Sequence, residues 1–253
     1  MSSYNQNPFQ TNMSVGSTQS HKWDWRDVNA PAMAPGKAAN AFISKVFTVM
    51  AFGLGITALV SWLFAATGWA IPVLTSPVRW LIMFAPFIFI LVLNFGIHKL
   101  STTTATILFM AFATVMGISL SSIFFIYSLG TIFQVFAMTS VTFGLMALLG
   151  ATTNIDLTKF GTILMFALLG LILTSVINWF LGSTMLEFII SAVGVLIFAG
   201  LTAYDTQKML RIGQSVQGGE AAGKMAIMGA LALYLDFINL FLFMLRLFGG
   251  SRN

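Results

Sequence analysis

An all-α integral membrane protein of seven transmembrane helices is what the sequence predicts, on three observations. Charged residues are only 8% of the chain and hydrophobic ones 58%, whereas soluble domains carry roughly a quarter charged. The mean hydropathy is +0.91. Finally, apolar runs recur from residue 42 onward, each near the roughly 20 residues a helix needs to cross a bilayer.

Taken in order, residues 1–40 are rich in Ser, Asn, Gln, Pro and Thr without periodicity and predict a disordered tail. It lacks the basic start and apolar core of a secretory signal. Within it, Trp23 and Trp25 alternate with charges, as rings at a headgroup surface do. Residues 41–250 form the membrane domain. Its runs are 42–66, 80–97, 103–127, 130–151, 160–181, 186–206 and 226–247. Pro and Gly in the first connector, "HKLSTT" in the second and Gly182–Ser183 in the fifth supply turn chemistry, and residues 207–225, with four glycines, predict a hairpin connector. Small residues four apart, Ala51 with Gly55 and Ala113 with Gly117 and Ser121, predict close helix approach.

Composition also excludes chemistry. The chain has no cysteine and two histidines, which removes thiol nucleophiles and leaves few transition-metal ligand sets. No His-Glu metal motif and no Ser-His-Asp set is present, so an enzyme is not expected. The net charge of +5 lies mostly between apolar runs, where it sets orientation, and no nucleic-acid partner is expected. Lys22, Arg26, Lys37 and Lys45 precede or open the first run, and Lys99, Lys159, Lys208, Arg211 and Lys224 fall in or beside the even connectors. The odd connectors hold only Arg79, which predicts a cytoplasmic N-terminus. Seven full spans leave Arg246 and Arg252 on the outer side, a conflict that a re-entrant last segment would remove.

Two acids stand out in this setting. Asp236 is the one charged side chain between Met225 and Leu245, near the middle of its run. A mid-helix Asp costs about 2.5–3.5 kcal/mol to insert, so it needs a partner, a proton or water. Asp205 follows the uncharged stretch Phe188–Tyr204. A short connector between the two helices lets the carboxyl groups meet. Crowded like charges in low dielectric retain one proton, and the ionised pair offers hard oxygens to calcium, so protons and calcium compete for one place. Simpler readings are Asp205 as a local pair with Lys208 or a helix-end acid at the interface, and Asp236 as a neutral buried acid bonded to Asn239 or a backbone carbonyl. A proton relay lacks a further intramembrane acid or histidine; His98, at the end of the second helix, reads as a surface residue.

Two segments, "AYDTQKM" and "ALYLDFINLFLFMLRLFGG", resemble the Bax inhibitor-1, or transmembrane Bax-inhibitor-motif, family, and the likeness extends over residues 40–250. It implies six helices surrounding a central C-terminal seventh. It further implies that Asp205 and Asp236 are a pH-sensing pair gating a calcium leak, with calcium as transient ligand and permeant ion and no tightly bound cofactor. Bacterial relatives latch the pair with an arginine at the end of the second helix; this chain reads "GIHKLS" there, which leaves His98 or Lys99 as the substitute. Arg246 matches the family's ending. The expected function is thus a pH-sensitive calcium-leak channel in a bacterial plasma membrane, its partners being the lipid bilayer, calcium and protons. The alternative is a non-conducting regulator of a membrane protease or cell-death protein, docked through the tail.

Overall fold

In the computed structural model, residues 36–216 and 219–249 are described, and they are helical almost throughout. Nine helices appear among them: α1 (Lys37–Ala66), α2 (Ala70–Thr75), α3 (Val78–Gly96), α4 (Thr102–Leu120), α5 (Ile123–Ile126), α6 (Leu129–Thr152), α7 (Thr158–Leu181), α8 (Thr184–Ser215) and α9 (Gly219–Phe248). Seven spans are long and apolar enough to cross a bilayer, with α4 and α5 counted as one. Ser101, Ser128 and Ser183 each cap the helix that follows by accepting the backbone N–H of Thr104, Thr131 and Leu186. Gly182 closes α7 at φ +61, a left-handed conformation that favours glycine. Most of the predicted tail lies outside the described residues, and α1 starts at Lys37, five residues before the predicted run.

The larger difference concerns residues 207–225. They form no long connector: α8 runs to Ser215 and α9 begins at Gly219. Side-chain pairs one turn apart support both extensions, Gln207 with Arg211 at 2.8 Å and Glu220 with Lys224 at 3.4 Å. Among the described glycines of this stretch, only Gly219 shows the positive φ, +78, of a turn glycine. Gly213 is a packing residue, since a Cβ there would meet Phe42 at 3.0 Å and Ala39 at 3.2 Å on α1. Helix α9 is unbroken over 30 residues, about 45 Å at 1.5 Å per residue. That is enough to cross, and it contains no re-entrant break.

Helix α9 packs against α1, α4, α6 and α8, while α3 rests chiefly on α4 and α7 on α8. Within the most apolar window of α9, 67% of residues are buried, against 11% for α3 and α7. The last helix is therefore the central one. Outward faces carry Phe95, Phe166, Trp179 and Phe180, all exposed, as lipid contact requires. Because lipid is as apolar as the core, packing and polar contacts must hold the helices together. Thr57 makes such a contact. Its Oγ1 lies 3.0 Å from the Gly53 carbonyl, 2.9 Å from the Ala113 carbonyl and 2.7 Å from the Tyr234 hydroxyl. Its single proton can serve only the carbonyls, so Tyr234 donates to Thr57 and ties α9 to α1 and α4.

The small-residue expectation holds in part. Gly117 is packed, because a Cβ would approach the Thr57 carbonyl at 2.8 Å. By contrast, Ala51 and Gly55 are exposed, with open space at Gly55. The glycine that admits a neighbour on α1 is Gly53, where a Cβ would lie 2.7 Å from the Phe109 ring.

Candidate functional site

Helices α8 and α9 run antiparallel in a register fixed by small residues. Gly194 receives the Phe243 ring, Phe198 stacks on that ring with centroids 5.7 Å apart, and Gly229 receives the Met209 thioether. In the same register Asp205 comes opposite Asp236, and the two carboxyl groups are in hydrogen-bonding contact. Asp236 is 5% exposed, and no conventional donor among the described residues reaches its Oδ2. Asp205 is half-buried. Two carboxyl groups hydrogen-bond to one another only when one of them carries a proton, which makes this an arrangement able to share one. Two carboxylates alone fall short of the roughly six to eight oxygens of a resident calcium site. Among the described residues no cluster of three or more His, Cys, Asp or Glu could hold a metal.

Lys208 and Asn239, the partners that the simpler readings give the acids, make contacts elsewhere. Lys208 forms no ion pair with Asp205 within 4 Å among the described residues; its ammonium sits 5.8 Å from the centroid of the Tyr204 ring. Asn239 turns its amide to the Leu235 carbonyl of its own helix at 2.8 Å, and so does not support Asp236. The expected latch residues His98 and Lys99 are exposed in the turn after α3, and among the described residues neither forms an ion pair with either acid. Arg246, ten residues and thus about 15 Å beyond Asp236 along α9, is exposed and lies 5.7 Å from the centroid of the Phe243 ring.

A polar cluster occupies the opposite face of α8. Gln207 accepts from the Leu157 N–H at 2.9 Å and donates to the Ile155 carbonyl at 2.8 Å. Arg211 donates to Gln207 and to Thr158 Oγ1 at 2.8 Å, and to Asp156 Oδ1 at 2.6 Å. Asp156 also accepts the Thr158 hydroxyl at 2.7 Å and N–H at 3.0 Å. Those Thr158 bonds first, then Arg211, hold the Asp156 carboxyl down at about 2.

The family model described as inhibitor of apoptosis-promoting Bax1 matches residues 39–253. The chain belongs to that family. Among Bax1-inhibitor relatives, it is 40% identical over 222 residues to the inner membrane protein YbhL of Escherichia coli, covering 86% of this chain and 95% of the relative. It is 41% identical over 217 residues to a protein of Borreliella burgdorferi, covering 85% and 94% of the two chains. A membrane protein of Streptococcus pyogenes is 35% identical over 217 residues, with 84% and 93% covered.

Sequence reasoning about this Bax1-inhibitor member found the acids but missed the cluster behind them. Gln207 and Arg211 stand four apart, a spacing that places them on one helix face. The segment "IDLT" carries an Asp two residues before a helix-opening Thr, a local capping pattern. Both signals were legible, but that they meet is a tertiary fact. Tyr234 was missed as well, for its hydroxyl finds Thr57, 177 positions away.

Proposed function

We propose that this membrane protein is a pH-sensitive calcium leak, gated by the proton that Asp205 and Asp236 share. The observation that carries the reading is the contact of these two carboxyl groups between apolar helices, with no cation paired to either among the described residues. Singly protonated, the pair closes on itself. Ionised, it repels and presents carboxylate oxygens, which calcium favours. Helix α9 contributes Asp236 from the centre of the bundle, where a change in its packing reaches four neighbours.

Lys99, Lys159, Lys208, Arg211 and Lys224 cluster at the helix ends that abut the even connectors, whereas exposed Trp62, Trp69, Trp80 and Trp179 mark the other ends. This supports a cytoplasmic N-terminus by the positive-inside rule. The inner-membrane relative in Escherichia coli supports a bacterial plasma membrane. The test is release of calcium from loaded liposomes carrying the purified chain. Wild type releases calcium at a rate that varies with pH, and Asp205→Asn and Asp236→Asn each remove the variation. Equal release from all three proteins at every pH rejects the leak, and full regulation of a stoichiometric partner without flux identifies a binding regulator instead.

A further inference from the structure

Helix α8 is held along one side from Ala203 to Arg211. Gly150 of α6 meets the Ala203 backbone and Gly161 of α7 meets the Tyr204 ring, each too closely for a Cβ. One turn further on, Gln207 and Arg211 take the loop between those helices through Ile155, Asp156, Leu157 and Thr158. Gln207 is 6% exposed and the Arg211 side chain 13%, so these bonds compete little with water. Gln207 satisfies a backbone donor and a backbone acceptor at once, and the planar Arg211 fork reaches three groups. Asp205 lies two residues before Gln207, a rotation of about 200° on a helix. Acid and clamp therefore occupy opposite faces of α8, and fixing one face sets the azimuth of the other.

We propose that Gln207 and Arg211 are positioning residues for the Asp205–Asp236 pair, holding α8 at the rotation and height that bring the two carboxyl groups into contact. The inference rests on the reading that the pair shares a proton, and is independent of whether calcium passes. The charged groups acting on Asp205 are Asp236 from α9 and Lys208 from its own helix. Helix α6 carries no charged residue, Lys45 of α1 and Lys159 of α7 are exposed, and Tyr234 of α9 turns to Thr57. Burial between apolar helices is the first cause that retains the proton and survives release of the clamp, but release lets the carboxyl groups separate and removes the crowding and the shared hydrogen bond that add to it. The pair then loses its proton at lower pH.

Infrared titration of the full chain in lipid tests this, following the protonated-carboxyl band that Asp205→Asn and Asp236→Asn abolish. Arg211→Gln lowers the titration midpoint of that band by about one pH unit or more, as loss of a shared bond between crowded acids does. Arg211→Lys, which keeps the charge and loses the fork, lowers it too. Asp156→Asn, a milder change at an exposed carboxylate, gives a smaller shift of the same sign and decides the matter if the arginine variants fail to fold. An unmoved midpoint in folded clamp variants overturns the positioning role alone. If neither Asn variant removes a carboxyl band from wild type, the shared proton is overturned, and this inference with it.

Discussion

At the scale of single residues, the polar contacts carry unequal weight. Tyr234 is fully buried against Phe109 and Phe112, with ring centroids at 5.6 and 5.3 Å, and its hydroxyl meets Thr57. Tyr234→Phe removes one hydrogen bond and leaves Thr57 its carbonyl partners, so the expected loss is about 0.5–1.5 kcal/mol. Tyr234→Ala empties the aromatic cluster and costs roughly 3–5 kcal/mol. Reversible unfolding in mixed micelles compares the two, and equal losses would assign the stabilisation to the hydroxyl alone. Asp156 gives a pH prediction of definite sign. Its carboxyl is held at about 2, below its ordinary 3.8, so its contribution is present above pH 4 and disappears as pH falls from 4 towards 2. The side chain is 55% exposed, and solvent screening keeps that contribution below about 1 kcal/mol. Wild type should therefore lose its stability advantage over Asp156→Asn between pH 4 and 2, and an advantage constant down to pH 2 would contradict the depressed titration.

Among the helices, apolar run length gave the number and order of spans correctly, because a bilayer constrains length more tightly than any soluble core does. Boundaries failed where the chain leaves the apolar layer. Beyond Asp205 the polar residues Gln207, Lys208 and Arg211 looked like connector, yet α8 continues through them, with Gln207 and Arg211 bound to the α6–α7 loop. Glycine was equally ambiguous, since one residue type serves turns, close packing and bare lipid-facing surface. Gly150 and Gly55 separate the last two roles. A Cβ at Gly150 would press on the Ala203 carbonyl of α8, while Gly55 has nothing within 4 Å. Gly150→Ala should destabilise the protein by about 1–3 kcal/mol through forced backbone shifts, and Gly55→Ala should be neutral or slightly stabilising. Thermal melting in detergent checks both, and indifference to Gly150→Ala would contradict the close α6–α8 contact.

For the whole molecule, placing the last helix at the centre puts its one mid-span acid where lipid cannot reach it. The sequence exposed that acid plainly, since an isolated charge in an apolar run is expensive anywhere. It also indicated Asp205 as the partner, because consecutive helices joined by a short connector pack antiparallel. What it did not disclose was which cations stay away: His98 and Lys99 remain exposed, and Arg211 is spent on Asp156. No cation lies within ion-pairing distance of the pair among the described residues, in keeping with the proposal that it shares a proton or faces a permeating ion. If calcium displaces one shared proton, the calcium concentration giving half-maximal flux should rise about tenfold per unit of acidification below the pair's upper titration step. That measurement, made in liposomes from pH 5 to 8 on wild type and Asp236→Asn, tests the central claim most directly. A slope near one in wild type that vanishes in the variant is the predicted result; a wild-type half-saturation point that does not move with pH would contradict it.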